Sequence, residues 1–361
     1  GTSLTAGLGA TALVDAKALG NELCETFNPS QAAQLAGKVV VCTQGVIGRV
    51  QKGINVQAAG GAGMVLISQP GYKASVVSDT HVIPTVMISE WDGEALRAWL
   101  AGAASPSATL TGVVLETDAA FGDRMAGFSS RGPDANSANV IKPDVTAPGV
   151  SIWAAFNATG DAAPDYNMIQ GTSMSSPHAA GAAALVRALH PSWTPDQVKS
   201  ALMSTAFTVP NGGKETVGVT KEDHATAADP FDRGGGRIDV AAAVSAGFTV
   251  QETVAGYQAA NPTLGGNPSA LNLASLASAS CATTCTWTRT ISNTSDRPVS
   301  YKVSAVSEDG FTVEQDAEWN TREVTSGKAI GTYKARELFR RKSVRLAHCV
   351  GDFQHALVVW K

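Results

Sequence analysis

The sequence predicts an α/β fold, and three observations point there. Short apolar runs alternate with helical patterns over about the first 115 residues. A long run of small residues from Gly171 to His190 has helical Ala and Leu content. A β-like alternation appears only late, from Thr284 to Val313. With 361 residues the chain has length for two or three domains and a sizeable core.

Lys38-Val39-Val40-Val41-Cys42 reads as a buried strand. From Arg49 to Ala59 the apolar positions Val50, Ile54 and Val56 fit a short helix, stopped by Gly60-Gly61. Met64-Val65-Leu66-Ile67 is a second strand and Ile83 to Ile88 a third. Pro84 belongs at an edge or at the start of that strand, because it offers no ladder donor. Ser89 caps the next helix with Asp92 three residues on, and Leu96, Trp99 and Leu100 supply its buried stripe. Thr109 to Leu115 is another strand. Together these form a small α/β unit, complete enough to fold on its own.

From Phe121 the texture changes. Phe128 to Pro133 is a turn-rich loop, and Lys142 to Val150 is a Pro-punctuated segment leading to Ile152-Trp153-Ala154. The helix from Ala179 to Leu189 is apolar around most of its circumference and is expected to be central and buried. Thr194-Pro195-Asp196-Gln197 opens another helix with a capping-box pattern, with Val198, Ala201, Leu202 and Thr205 as its inner face. After Gly234-Gly235-Gly236, Asp239 caps a last short helix that Gly247 ends. Residues 251–280 read as a linker or loosely packed connection. Trp287 to Ile291 and Val299 to Ala305 are expected to form a β-hairpin about the Asn293-to-Pro298 turn. Too few strands follow for a whole sandwich of about seven.

Charged residues make up 16% of the chain, and the net charge is -4. That total hides an acidic body and a basic end: residues 1–327 hold 19 Lys/Arg and 29 Asp/Glu, residues 328–361 hold 8 and 2. The balance argues against nucleic-acid binding through a large basic surface. No apolar run of about 18 residues is present, so no membrane span is expected. At 44% hydrophobic residues the chain as a whole is not disordered. The last 34 residues, with Arg340-Arg341-Lys342 and Arg345, read as a solvated helix, an interaction tail or a stretch out of register with its ancestor.

Five cysteines, Cys24, Cys42, Cys281, Cys285 and Cys349, form neither a CxxC pair nor a zinc spacing. Cys281 and Cys285 suit a small-loop disulfide of a secreted protein, and Cys24 with Cys42 is another candidate pair. Free buried thiols are the alternative, and sequence does not fix the pairing. Asn157-Ala158-Thr159 and Asn293-Thr294-Ser295 match the glycosylation pattern.

The segment that carries chemistry is Gly171-Thr172-Ser173-Met174-Ser175-Ser176-Pro177-His178-Ala179-Ala180-Gly181. A Gly-preceded Ser stands at the start of a helix. Gly171 permits a tight turn and close approach of a substrate backbone. The helix N-terminus places unpaired N–H groups and a positive dipole end beside Ser173, where an oxyanion would form during attack on a carbonyl. Gly1-Thr2-Ser3-Leu4 repeats the tripeptide without the Met, the Pro-His or the small-residue helix, so Ser3 reads as an ordinary terminal residue.

That segment resembles the nucleophile motif of the subtilases, the subtilisin-like serine proteases. The likeness extends upstream through Phe128 to Pro133 and Lys142 to Gly149, and downstream through Ser192-Trp193-Thr194-Pro195 and Arg237-Ile238-Asp239. Residues 1–115 are similar to the protease-associated domain inserted in many secreted subtilases, through Gly37 to Cys42, Ala59 to Met64 and Ile83 to Val86. Residues 284–327 faintly resemble a fibronectin-type-III-like domain. The resemblance implies a subtilisin-like three-layer α/β/α catalytic domain. It gives a protease-associated domain at 1–118, the C-terminal part of the catalytic domain at 119–250, a linker at 251–280 and a partial β domain at 281–327. The basic tail at 328–361 falls outside it. It also implies Ser173 as nucleophile, the Ser173 N–H as oxyanion donor with Thr172 in support, protein or peptide substrates and a secreted protein. No organic cofactor is implied, and calcium enters only by analogy with the family, because the acidic residues form no calcium-loop spacing.

A serine hydroxyl needs a base, and the base an orienting acid. The family's Asp-Ser/Thr-Gly and His-Gly-Thr-His contexts do not occur in the sequence. Asp79-Thr80-His81 is a decoy that lacks the Gly, and His178 belongs to the nucleophile motif as helix packing. His190, His224, His348 and His355 lack the required neighbours, and Asn157 and Asn167 lack the context of the oxyanion asparagine. The sequence is therefore expected to be the C-terminal portion of a longer protease, inactive alone, with apolar faces of the 120–250 part left uncovered and that part marginally folded. The competing readings are a non-catalytic binding module and an esterase. The esterase would want Gly-x-Ser-x-Gly, but Ser175 stands at the second Gly position.

Overall fold

A computed structural model describes residues 3–71, 76–114, 122–156, 166–208, 219–221, 226–279 and 286–296, and the strand backbone at 303–306, 312–315, 331–338, 354–355 and 357–360. Its contacts divide into two units, one made of 1–129, 148–175 and 221–226, the other of 130–147, 176–220 and 227–361.

The first unit opens with β1 (Leu8–Asp15), followed by α1 (Pro29–Leu35), β2 (Val39–Thr43), α2 (Arg49–Ala58), β3 (Gly63–Ile67), β4 (Thr85–Ile88), α3 (Glu90–Leu100) and β5 (Ser107–Leu110). The strands form one sheet in the order β4-β3-β2-β1-β5, parallel except for β5. Every residue of β2 and β3 is buried, and the period of two divides them between two cores. Val40, Cys42, Met64 and Leu66 meet Val56 of α2 on one face. Val39, Val41, Val65 and Ile67 meet Leu96 and Leu100 of α3 on the other. Pro84 immediately precedes β4, the edge strand. Ser89 caps α3 by accepting from the Asp92 N–H, as expected.

Four details differ from the sequence expectation. β1 was not anticipated: its Gly, Ala and Thr content carries little apolar signal, and only Leu13 in it is buried. The strand expected over 109–115 runs over 107–110 instead. Trp99 is 51% exposed, because α3 lies flush on the sheet through Gly93, Leu96 and Leu100, and a Cβ on Gly93 would collide with Ile67. In α2 the inward face is Lys52, Gly53 and Val56, which leaves Ile54 exposed. Lys52 is fully buried because its Nζ donates to the Leu23 carbonyl at 2.5 Å. The same unit contains the Cys24–Cys42 disulfide. It also holds β6 (Ile152–Ala155) and β7 (Tyr166–Ile169), an antiparallel pair.

Chain order continues with α4 (Thr172–Leu189), α5 (Pro195–Ser204), α6 (Pro230–Arg233), α7 (Val240–Val244), β8 (Phe248–Val250) and α8 (Val254–Ala259). In the second unit Ala182 and Val186 pack with Val198, Ala201 and Leu202 of α5 and Ala243 of α7. Thr194 and Gln197 form the expected capping box. The central buried helix expected over Ala179–Leu189 is covered on a single face by α5 and α7, and Leu185 at 58% and Leu189 at 64% exposure agree with the uncovered apolar face expected of this part.

The remaining strands are β9 (Ala277–Ser278), β10 (Thr286–Asn293), β11 (Val303–Val306), β12 (Thr312–Gln315), β13 (Gly331–Leu338), β14 (Gln354–His355) and β15 (Leu357–Trp360). Among the described residues Trp287–Ile291 does not pair with the part of the expected partner strand that lies in β11. β10 lies between β8 and β13, with Ile291 opposite Val250, while β11 pairs with β15. Alternation identifies a strand without naming its partner. Of the stretch read as a linker over 251–280, the described residues 251–279 are more ordered than that: they include α8 and bury Ala260, Leu271, Leu276 and Ala277. Arg289 reaches back to donate to the carbonyls of Leu273 and Ser275. The described backbone of 328–361 is strand, not helix. Cys281, Cys285, Cys349 and Arg340 to Arg345 lie outside the described residues.

Candidate active site

β6 and β7 bring the chain up to the serine. Ile152 pairs with Ile169 and Ala155 with Tyr166, and the Trp153 and Tyr166 rings stack with centroids 6.1 Å apart. After Gln170 the backbone turns sharply at Gly171, whose φ of +154° lies where L side chains are strained. The Gly171 N–H donates to the Gly149 carbonyl at 2.8 Å. Its own carbonyl accepts from the Met174 N–H at 2.9 Å and the Ser175 N–H at 3.4 Å. Thr172 and Ser173 are therefore the first two residues of α4, with N–H groups ahead of the first intrahelical acceptor.

Ser173 is exposed, and its hydroxyl has no hydrogen-bond partner among the described residues. Thr172 is exposed beside it. The arrangement offers a free hydroxyl next to unpaired backbone donors at the positive end of an 18-residue helix. Gly149 has no room for a side chain: a Cβ there would collide with Ser175 Oγ and lie 2.9 Å from the Gly171 carbonyl oxygen.

A polar cluster borders this turn within the same unit. Arg49, the first residue of α2, donates to Asp79 from Nε at 2.5 Å and from Nη2 at 3.1 Å. Gln170 Nε2 donates to Asp79 Oδ1 at 3.0 Å, and the Thr80 hydroxyl bonds Asn167 Oδ1 at 2.9 Å. Burial alone would raise the Asp79 carboxyl, but Arg49, helped by Gln170, holds it below the usual carboxylate range. Burial pushes the His81 imidazole down, against the pull of Asp79. Its Nδ1 is buried without a partner among the described residues, as is Gln170 Oε1.

Asp79 thus spends its carboxylate on Arg49 and Gln170, and among the described residues Asp79-Thr80-His81 makes no hydrogen bond or ion pair with Ser173. His178 is exposed, five residues along the helix from Ser173 and on a different face. His190 stacks on Trp193 at 3.9 Å and bonds the Val244 carbonyl, away from any such role. Asn167 is held by Thr80, whereas Asn157, His224 and His348 lie outside the described residues. Among the described residues no group of three or more His, Cys, Asp or Glu is placed to hold a metal ion. No described helix is long and apolar enough to cross a membrane. Sequence reasoning missed Gly149 and Gln170. The Pro-Gly at 148–149 was a usable signal for the first, but nothing local marks the second.

A sequence profile described as the Subtilase family matches residues 47–236. Subtilisin-like protease SBT1.7 of Arabidopsis thaliana is 33% identical over 330 residues, which is 87% of this chain and 41% of that protein. Subtilisin-like protease SBT1.3 of the same plant is 39% identical over 224 residues, 59% of this chain and 28% of that protein. The chain spans less than half the length of these curated relatives. A psychrophilic subtilisin-like protease from an Antarctic Pseudoalteromonas aligns at 18% identity over 67% of this chain and 41% of that one. Its TM-score of 0.23 is too low to bear on the fold.

Proposed function

The chain belongs to the subtilase family, and from that premise we propose that it is the nucleophile-bearing portion of a secreted subtilisin-type serine endopeptidase. Ser173 Oγ attacks the scissile carbonyl carbon of a peptide while a base takes its proton. The carbonyl oxygen becomes an oxyanion that accepts from the Ser173 N–H, with Thr172 supporting that hole. Collapse expels the amine, which takes the proton from the base and leaves an acyl-enzyme. Water then hydrolyses the ester and restores the hydroxyl.

The observation that carries this reading is the exposed Ser173 hydroxyl at the start of α4, directly after the Gly171 turn. The base, its orienting Asp and the second oxyanion donor, an Asn, are supplied by polypeptide outside these 361 residues, so the chain alone is inactive. Residues 1–118 act as a protease-associated domain that shapes substrate access or mediates protein contacts, and 281–327 as part of a fibronectin-like β domain. Secretion is supported by the Cys24–Cys42 disulfide.

The test is peptide hydrolysis by the longer protein that contains this segment. Ser173→Ala is expected to lower kcat by about 10⁴-fold or more, with KM little changed. Retention of activity in Ser173→Ala would overturn the assignment.

A further inference from the structure

We propose that Asp79 is a positioning residue for Ser173, holding Gln170, the last residue before the nucleophile turn, from a seat fixed by Arg49. The proposal rests on the reading of Ser173 as the nucleophile.

The need for such a brace follows from burial. No described residue in 148–156 or 166–175 is buried, so the hairpin that delivers Ser173 has no apolar core of its own. A two-stranded ribbon of this kind is marginal in water. Among the described residues, β7 and the residue that follows it are tied to the α/β sheet by polar bonds, Thr80 to Asn167 at 2.9 Å and Asp79 to Gln170 at 3.0 Å. The two bonds lie three residues apart on one ribbon.

Asp79 suits the task because it cannot swing. Arg49 takes both carboxylate oxygens, and this paired geometry fixes the carboxylate plane. Asp79 is also buried, which shields both bonds from water. A carboxylate only accepts, so the Gln170 amide must present its NH₂ to Oδ1. That orientation explains why Gln170 Oε1 is buried without a donor. From Gln170 the chain passes directly into Gly171, whose N–H bond to Gly149 completes the turn. Nucleophile placement is sensitive to shifts of about 1 Å, which can cost about 100-fold in rate.

Two measurements test this. The first is amide hydrogen exchange across 166–175 in the 361-residue chain, comparing wild type, Asp79→Ala, Gln170→Ala and the double variant. Gln170→Ala removes the same bond without stranding the Arg49 charge, so it guards against a misfolded Asp79 variant. Each single variant is expected to speed exchange across 166–175 by about tenfold. The double variant should do no more than either, with β2 and β3 unchanged. Unchanged exchange, additive effects, or equal loosening of β2 and β3 would overturn the proposal.

The second measurement is the inactivation kinetics of the longer protein with a fluorophosphonate. The maximal rate of Ser173 modification should fall about tenfold or more in Gln170→Ala, with half-saturation unmoved. A change in half-saturation alone would count against positioning. If wild type never reacts at Ser173, the nucleophile reading fails, while the exchange measurement still decides whether Asp79 holds the turn.

Discussion

Gly149 and Gly171 are locked together: the Gly171 N–H donates to the Gly149 carbonyl at 2.8 Å, and a Cβ on Gly149 would lie 2.9 Å from the Gly171 oxygen. The neighbour that would have to move is backbone, together with the Ser175 hydroxyl. Gly149→Ala is therefore expected to displace the start of α4 and cut activity at Ser173 by about 100-fold in the longer protein. The β1–β5 sheet should melt as in wild type. Full activity in the variant would show that the turn tolerates the shift.

The Cys24–Cys42 bridge closes a loop of 18 residues of sequence separation that begins directly after Leu23, the residue whose carbonyl receives Lys52. Its removal as Cys24→Ser/Cys42→Ser should cost about 3 kcal/mol by loop-entropy reasoning. Denaturant unfolding with and without the pair measures this. A difference below about 1 kcal/mol would mean that α2 holds the loop without the bridge.

Lys52 gives the α/β unit a signature in pH. Burial pulls its ammonium down from the ordinary 10.5 to about 8, with Glu25 opposing. Between about 8 and about 10.4 the unfolded chain carries this proton and the folded one does not. Stability should consequently rise with pH across that window, and the penalty of the buried charge is fully present below it. The difference between wild type and Lys52→Met isolates the contribution from other titrating groups. A flat difference over pH 7.5–10.5 would contradict a depressed Lys52.

Much of this architecture was legible in residues alone, for identifiable reasons. β2 and β3 are buried on both faces, so their apolar runs announced them. The cap at Ser89 and the capping box at Thr194 are local chemistry within three residues. Gly171 and the small-residue helix marked the place of Ser173. What stayed hidden depends on distant partners. Lys52 is buried because a carbonyl 29 positions away receives it, and Gln170 meets Asp79 across 91 positions. β10 found β8 and β13 rather than its sequence neighbour, a choice of partner that periodicity does not encode.

The central claim, that Ser173 is the nucleophile, is tested most directly by locating a fluorophosphonate adduct by peptide mass spectrometry. In the longer protein the adduct is predicted on the peptide containing Ser173, absent in Ser173→Ala and slow to form in the 361-residue chain alone. An adduct on a different residue, or rapid modification of the 361-residue chain, would contradict the account.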